Sequence, residues 1–298
     1  MELRHLRHFV AVAEELNFHR AATRLNMAQP PLSQSIRRLE DSLGVQLLDR
    51  SRRGVALTPA GAAFVDEARN ALTHAELARK LARREAAESP EISVSFISSA
   101  MYGILPRLLS AFREQAPMIG MQLHEVPSPL QIAPILTGDR DIGFVSHNTR
   151  GLEEFETILV ERSSLVAAIP AHWPLASRKA VTLADLAEQP FILPPRHDYT
   201  SGTDATIALF RRAGLIPHVT QSETHVSSTF AMVGAGLGCT LTTGVAAVTT
   251  PANVTFVPIV DSLLTAEWGI RMIWRNSQLS AAARQFVAFA QDKISDQV

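Results

Sequence analysis

The sequence is poor in cysteine, with a single one, Cys239, among 298 residues. A single cysteine excludes an intramolecular disulfide, so no disulfide framework can support this fold. Cys239 lies in the apolar run GAGLGCTLTT, with no second cysteine and no neighbouring cation to make its thiol reactive. We therefore expect a buried packing residue rather than a redox sensor.

The sequence also has almost no excess charge of either sign, with a formal net charge of -1 and 19% charged residues. This balance alone does not suggest a nucleic-acid partner. The charges are distributed unevenly, however: residues 1–60 hold nine arginines against six acids, whereas residues 89–298 hold 14 basic and 18 acidic residues. Because the N-terminal excess is small, we expect modest DNA affinity per protomer and useful affinity from dimers or tetramers.

No segment has the pattern of a signal peptide or a membrane span. Glu2, Arg4 and Arg7 place charges where a signal peptide needs an apolar core. Residues 224–260 contain no Lys, Arg, Asp or Glu, but glycines, threonines and Pro251 interrupt that run. We interpret the run as a buried helix and strand, and we expect a cytoplasmic protein with no membrane partner.

Enzyme motifs are missing as well. The sequence contains no G-x-S-x-G nucleophile elbow, no Walker loop and no H-E-x-x-H pair. The glycines Gly234, Gly236 and Gly238 precede a predicted strand, the reverse of the order in a dinucleotide site. The ten histidines are scattered. We therefore expect no catalytic residues, no metal and no cofactor.

What the sequence does contain is a two-helix pattern at residues 18–44. Leu32, Ile36, Leu39 and Leu43 are spaced 4-3-4 and stack on one face of a helix. Asn26, which tolerates the left-handed conformation, ends the shorter helix before it. The opposite face carries amide, hydroxyl and guanidinium groups, which read base edges and hold phosphates. The residues predicted to do so are Gln29, Pro30, Ser33, Gln34, Arg37 and Arg38.

Two neighbouring patterns distinguish this pair from the many amphipathic helix pairs that bind no DNA. A preceding helix within residues 1–17 can close a three-helix core. Two short strands, VQLLDR and GVALT, follow the pair, and their connection carries adjacent arginines. The sequence thus predicts a winged helix-turn-helix, with Arg50, Arg52 and Arg53 holding the wing against the DNA backbone or minor groove.

A long helix follows the wing. Thr58 and Pro59 open it, and we expect it to run to about residue 87. Small and aromatic residues repeat along it at alternating steps of four and three, the spacing of a seam between paired helices. The seam consists of Phe64, Ala68, Ala71, Ala75, Ala78 and Ala82. We interpret it as a contact with a second protomer. Beyond a break at Ser89 and Pro90, predicted strands alternate with helices, which is typical of a parallel α/β domain.

Residues 1–60 resemble the DNA-binding domain of LysR-type transcriptional regulators. The resemblance is carried by exposed segments that a fold alone would not dictate, QPPLSQSIRRLE and DRSRRGVALTPAG. One position departs from the family pattern. Ala28 stands where the family usually places Ser or Thr, which forgoes a side-chain cap worth about 1 kcal/mol.

The rest of the chain resembles the effector domain of the same family, which is similar to periplasmic solute-binding proteins. The family's glycine-rich helix-to-strand segment lies at residues 232–239, although Thr242 and Thr243 replace a proline common among members. The resemblance implies an α+β multidomain fold: a winged helix-turn-helix domain at 1–58, a linker and dimerisation helix at 59–88, and a two-lobed α/β effector domain, similar to periplasmic binding proteins, at 89–298. Lobe one would comprise 91–162 and 267–298, and lobe two 163–266.

Candidate effector contacts follow from where small ligands bind in open α/β sheets. They bind at the carboxyl ends of strands, where helix N-termini offer N–H groups to an anion. The side chains selected there are Ser98, Ser99, Ser128, Thr203 and Ser228 as hydroxyl contacts, His147 and Arg196 as cations, and Tyr102 and Phe144 as ring-stacking walls. Each serine alone is also a common helix cap. Because the family uses the Ser99 region for its inducer, and because the N-terminal half is similar to regulators of aromatic-degradation operons, the resemblance implies an aromatic or other small carboxylate.

The resulting hypothesis is a ligand-responsive, sequence-specific transcriptional regulator. The resemblance implies double-stranded operator DNA, a small-molecule effector, a homo-oligomer arranged as a dimer of dimers, and RNA polymerase as partners. Two alternatives remain. A ligand-independent repressor or architectural DNA-binding protein would use its C-terminal domain for assembly alone. A solute-binding or catalytic protein with an accessory domain is disfavoured, because no export signal or catalytic set is present.

Overall fold

A computed structural model describes residues 1–51, 54–85, 89–195, 200–223, 225–249, 251–261 and 268–295. The chain divides into two compact units, Met1–Ala82 and Arg83–Val298. Among the described residues, no helix combines the length and the apolar character needed to cross a bilayer.

The first unit is a helical bundle with a short hairpin. Its elements are α1 (Leu3–Glu15), α2 (Phe18–Arg24), α3 (Gln29–Leu43), β1 (Leu48–Ser51), β2 (Gly54–Leu57) and α4 (Pro59–Glu85), whose last residues belong to the second unit. The apolar face of α3 is buried as the spacing predicts, with Leu32, Ile36 and Leu39 at 0% exposure. These residues share one core with Phe9 of α1 and with the beginning of α4. Burying each such side chain contributes about 1.5–3 kcal/mol.

Turn and cap residues determine where these helices begin and end. Asn17 caps α2, because its Oδ1 accepts hydrogen bonds from the N–H groups of His19 and Arg20 at 2.8 and 3.1 Å. Asn26 has a φ of 52°, which confirms the left-handed turn predicted between α2 and α3. Ala28 precedes α3 without any side-chain cap. The cost is reduced because the prolines that follow it lack the N–H groups that a cap would satisfy.

Helix α4 is anchored to the same core. The predicted cap is confirmed, since Thr58 Oγ1 accepts a hydrogen bond from Gly61 N at 3.0 Å. Phe64 and Ala68 pack against the chain's own helices, and the rings of Phe64 and Phe9 lie 5.4 Å apart. The seam prediction is therefore wrong for these two positions, which face an intramolecular core rather than a partner helix. Ala71 and Ala78, further along, are exposed.

The second unit consists of two α/β lobes. Its elements are β3 (Glu91–Phe96), α5 (Ser98–Met101), α6 (Ile104–Gln115), β4 (Gly120–Glu125), α7 (Ser128–Leu136), β5 (Ile142–Ser146), β6 (Glu156–Ser163), β7 (Leu165–Pro170), α8 (Leu183–Ala187), β8 (Pro190–Leu193), α9 (Thr200–Arg212), β9 (His218–Ser222), α10 (Val226–Gly234), β10 (Thr240–Thr243), β11 (Val254–Pro258), β12 (Trp268–Trp274) and α11 (Ala281–Ser295). The first lobe has a sheet of order β4-β3-β5-β12-β6, and the second has sheets of order β10-β7-β11 and β8-β9. This two-lobed arrangement confirms the expected fold class.

The carboxyl ends of β3, β4 and β5 lie at the same edge of the first-lobe sheet. Strands β3, β4 and β5 are parallel, so their carboxyl ends meet at one edge of the first lobe. Strand β12 returns from the second lobe and pairs antiparallel with β5 and β6. Helix α11 then closes the first core, where Phe286 and Phe289 pack on Phe112 with ring centroids 5.0 and 5.4 Å apart.

Cys239 lies inside the core of the second lobe, with 0% exposure. Burial raises the pKa of its thiol to about 12. It therefore stays protonated near neutral pH, in keeping with a packing residue.

Candidate DNA-reading surface and effector cleft

The outward face of α3 presents a compact set of polar groups. Gln29, Pro30, Gln34, Arg37 and Arg38 are exposed, and Ser33 is half-buried. Five residues of this face line a concave surface, namely Pro30, Pro31, Ser33, Gln34 and Arg37. The sequence-based prediction therefore selected side chains that lie together on one side of one rigid helix. An amide, a hydroxyl and a guanidinium so arranged can hydrogen-bond to base edges in a major groove.

Of the three arginines predicted to hold the wing against DNA, the structure describes only Arg50. Arg50 is held inside the unit: its Nη2 lies 2.9 Å from Glu40 Oε2, and its Cζ lies 5.0 Å from the centroid of the Phe18 ring. Arg52 and Arg53 lie outside the described residues. The acidic partner of Arg50 was not foreseen, because Glu40 and Arg50 are ten residues apart on different elements.

A histidine connects α1 to the buried side of α3. His8 Nδ1 is hydrogen-bonded to Ser35 Oγ at 2.7 Å, and Ser35 is 9% exposed. Burial lowers the pKa of His8 below 6.5, and the nearby charges of His5, Arg7 and Arg4 lower it further. The folded unit therefore favours neutral His8.

This shift predicts an acid-sensitive DNA-binding unit. Because the unfolded chain binds the proton more readily than the folded chain, stability is lost as the pH falls through 6.5, the ordinary value for His8. The melting temperature of the wild type should fall as the pH is lowered from about 7.5 to about 5.5. In His8→Gln the melting temperature should depend less on pH over this range. His19→Gln, at an exposed position on α2, is the matched control and should follow the wild type. An unchanged slope in His8→Gln would contradict the assignment.

In the second unit, two predicted effector serines are already engaged. Ser98 is 7% exposed, and its hydroxyl donates to the carboxylate of Glu125 at the end of β4. Ser128 is 1% exposed, and its Oγ accepts a hydrogen bond from Ser146 N at 3.0 Å. Ser98 therefore joins the carboxyl ends of the neighbouring strands β3 and β4, and Ser128 joins the first turn of α7 to the last residue of β5.

The two proposed ring-stacking walls behave differently from expectation. Phe144 is 0% exposed and belongs to the core of the first lobe, so the prediction that it faces a ligand is wrong. Its position on β5 directs the ring away from the cleft, which the sequence could not show because both neighbours are apolar. Tyr102 packs against an apolar cluster of the second lobe that contains Phe230 and Val233. It therefore contributes to contact between the lobes.

The remaining predicted contacts are spread around the strand ends. His147 Nδ1 accepts a hydrogen bond from Arg271 Nε at 3.1 Å. Thr203 is 3% exposed and donates through Oγ1 to Pro194 O at 2.9 Å. Ser99 and Ser228 are half-buried, and Ser99 lies within α5 rather than before a long helix as expected. Arg196 lies outside the described residues.

A cavity of about 520 Å³ opens between the lobes, beside these residues. It is lined by Pro129, Asn148, Thr149, Arg150, Asp204, Ala205 and Ala208. None of the predicted residues that the structure describes lines it, yet Ser128, His147 and Thr203 each precede a lining residue by one position. The missed cation is Arg150, which follows β5 in the loop whose first residue, His147, was selected. Applying the strand-end rule to the whole loop would have found it.

A second contact between the lobes centres on Gly103. A Cβ atom at this position would lie 2.2 Å from Glu161 Oε2 and 2.5 Å from Val245 Cγ1. Glu161 Oε2 accepts a hydrogen bond from Ile104 N at 2.7 Å, at the first turn of α6. Burial raises the pKa of Glu161, while this hydrogen bond and the charge of Arg107 act in the opposite direction. The carboxyl group of Glu161 thus occupies the N-terminus of α6.

A helix-turn-helix unit with an exposed polar helix face, followed by two α/β lobes around a cavity, defines a class of DNA-binding proteins with a ligand-binding unit. Family models agree with both parts: residues 3–62 match the bacterial regulatory helix-turn-helix protein model of the lysR family, and residues 85–295 match the LysR substrate binding domain. The chain belongs to the LysR family of DNA-binding transcriptional regulators.

Individual relatives match over almost the whole chain. The chain is 38% identical to an uncharacterised HTH-type transcriptional regulator, YnfL, of Escherichia coli, covering 96% of each sequence. It is 35% identical to the Hca operon transcriptional activator HcaR of Escherichia coli, covering 99% of each. Among solved structures, full-length BenM matches with a TM-score of 0.61 and 30% identity, covering 100% of this chain and 98% of that one. Full-length CbnR complexed with its target DNA matches with a TM-score of 0.59 and 30% identity, covering 99% and 100%.

Proposed function

We propose that α3 enters the major groove of an operator and that Gln29, Pro30, Ser33, Gln34, Arg37 and Arg38 contact bases or adjacent phosphates there. The observation that carries this assignment is the exposed polar face of α3, whose opposite face is fixed by fully buried leucines and isoleucine. Arg52 and Arg53, which lie between β1 and β2 in the sequence, would hold the DNA backbone or minor groove. Residues 1–58 would thus form the reading domain, 59–88 the dimerising linker and 89–298 the effector domain.

Substitution of Arg37 tests this assignment. Arg37→Ala should weaken operator binding by about 1–3 kcal/mol if its guanidinium makes a bidentate base contact. The measurement is a fluorescence titration of the full chain against an operator fragment selected from random DNA. Arg113→Ala, an exposed arginine of α6, is the matched control. Equal operator affinity in Arg37→Ala and wild type would remove Arg37 from the reading set.

We infer further that the cavity between the lobes binds a small anionic effector, an aromatic or other carboxylate. Two features support this inference. Its volume of about 520 Å³ falls within the roughly 300–1,000 Å³ typical of small-molecule sites. Arg150 on its wall supplies the planar pair of donors that suits a carboxylate. Ser99, His147 and Ser228 would lie around the entrance, and no catalytic step is assigned to them.

Ligand-induced stabilisation of the full chain would reveal the effector. A ligand at one hundred times its dissociation constant adds about 2.7 kcal/mol to the free energy of unfolding. We expect one member of a panel of aromatic and short aliphatic acids to raise the melting temperature of the wild type, and Arg150→Ala to abolish the shift. Arg113→Ala should retain it. A panel without any shift would instead favour a ligand-independent repressor.

Binding would be transmitted through a change in how the lobes close. Because a ligand shifts an equilibrium only by its difference in affinity for two states, the effector must contact both lobes to favour one arrangement. The cavity meets this requirement, since its lining comes from α7 and the loop after β5 in one lobe and from α9 in the other. In a homo-oligomer, arranged as a dimer of dimers in the cytoplasm, this closure would change the spacing of the reading helices and thereby access of RNA polymerase.

A further inference from the structure

Arg50, on β1, contacts two other elements of the DNA-binding unit, α2 and α3. From β1 its guanidinium reaches Glu40 of α3, at 2.9 Å between Nη2 and Oε2, and lies over the Phe18 ring of α2. Its other terminal nitrogen, Nη1, lies 3.3 Å from Ser33 Oγ. The Arg50 side chain is 28% exposed and that of Glu40 is 11% exposed. The guanidinium plane is therefore fixed on one face by the ring and on two edges by oxygen atoms.

Glu40 is itself fixed by the backbone at the start of the wing. Its Oε1 accepts hydrogen bonds from Leu47 N at 2.9 Å and from Leu48 N at 3.1 Å, while Oε2 binds Arg50. Charge-assisted hydrogen bonds of this kind are stronger and more directional than neutral ones. The carboxylate thus determines both where β1 begins and where Arg50 points. A lysine could not reproduce this, because it lacks the planar fork.

The contact with Ser33 decides which hydrogen-bonding role remains for that hydroxyl. A guanidinium only donates, so Arg50 occupies a lone pair of Ser33 Oγ. Among the described residues, nothing accepts a hydrogen bond from Ser33 in return. Ser33 is half-buried and lines the concave surface of α3. Its hydrogen therefore remains to be donated toward whatever enters that surface.

We propose that Arg50 is a positioning residue that fixes Ser33 as a hydrogen-bond donor and so sets specificity at one base pair. Ser33 then selects a major-groove acceptor, namely a purine N7, guanine O6 or thymine O4, over the amino groups of cytosine and adenine. This inference rests on the proposed entry of α3 into the major groove. It differs from a phosphate contact by Arg50, which would add affinity without regard to sequence.

Charge and geometry can be separated by two substitutions of Arg50. Operator binding by the full chain is measured against the selected operator and its single-base variants, including 7-deazapurines, over a series of salt concentrations. We expect Ser33→Ala to lose the discrimination at one base pair, up to roughly 5- to 150-fold, the range for one mismatched base pair. Arg50→Lys and Arg50→Met should both lose most of that same discrimination, and Arg50→Lys in the Ser33→Ala background should add no further loss at that base pair.

The salt dependence distinguishes the competing role. If Arg50 bound a phosphate, Arg50→Met would lower the salt slope by about 0.9, whereas Arg50→Lys would retain both the slope and the discrimination. That result would overturn the positioning role. If base-pair discrimination survives Ser33→Ala, Ser33 does not read a base and the positioning role of Arg50 is also overturned. The entry of α3 into the major groove would still be tested separately by Arg37→Ala. Glu40→Gln, which keeps the shape of the side chain, should reproduce the loss seen in Arg50→Lys, and thermal unfolding of each variant shows that the unit is folded.

Discussion

Gly61→Ala should destabilise the DNA-binding unit by about 3 kcal/mol or more and abolish operator binding. A Cβ atom at residue 61 would lie 2.0 Å from the carbonyl oxygen of Leu47 and 2.9 Å from its carbonyl carbon. Because both atoms belong to the backbone, relief requires moving α4 away from the start of the wing. Overpacking of a close-packed interior costs about 1–3 kcal/mol and sometimes more, and a backbone contact this short belongs at the upper end.

Urea titration measures the loss in the free energy of unfolding. Operator binding is then measured at a temperature where the variant is still folded. Gly202→Ala is the matched control, since a Cβ atom at residue 202 of α9 would meet nothing within 4 Å. The control should leave stability unchanged or raise it by up to about 1 kcal/mol, the gain of alanine over glycine in a helix. Wild-type stability in Gly61→Ala would show that α4 and the wing do not approach each other as described.

The exposed polar face of α3, which we propose reads DNA, could be predicted from the sequence because it lies on a single helix. The 4-3-4 spacing of Leu32, Ile36, Leu39 and Leu43 orients α3, and the opposite side chains are then exposed by geometry alone. The left-handed Asn26 was predictable for a similar reason, since its conformation depends on its own short side chain. Local pattern suffices where one rigid element determines the arrangement.

The environment of Arg50 could not be predicted in the same way. Its contacts with Glu40, Phe18 and Ser33 bring together β1, α3 and α2, and no periodicity relates these positions. An exposed hairpin arginine beside DNA-reading residues is typical of a phosphate contact, and that was the prediction. Only the folded unit shows that the guanidinium is already bound by a carboxylate and a ring.

The cavity proposed to bind the effector shows the same limit of sequence-based prediction more strongly. The rule that ligands bind at strand ends selected residues next to the cavity, because Ser128, His147 and Thr203 each adjoin a residue that lines it. It did not say which way each side chain turns. Ser98 and Ser128 bond to their own lobe, and Phe144 faces the core, since a strand buried on both faces has no polar alternation to mark its ligand side.

The contact at Gly103 leads to the second large effect, which concerns effector response. Gly103→Ala should disturb the contact between lobes, because its Cβ atom would overlap Val245 of the second lobe and the bound carboxylate of Glu161. Glu161 could move only by releasing Ile104 N at the first turn of α6. If the cost of about 1–3 kcal/mol falls mainly on the closed arrangement of the lobes, effector binding should weaken by roughly 5- to 150-fold.

Calorimetric titration of the full chain with the acid found in the panel measures this loss, and unfolding in urea reports how much of the cost appears in stability alone. Val245→Ala in the Gly103→Ala chain removes the overlapping methyl group and should restore part of the effector affinity, whereas Gly202→Ala should bind effector as the wild type does. If Gly103→Ala lowers stability but leaves effector affinity unchanged, this contact stabilises the fold and takes no part in closing the cleft. Recovery with Val245→Ala would instead place the closure of the cleft at the point where Gly103, Glu161 and Val245 meet.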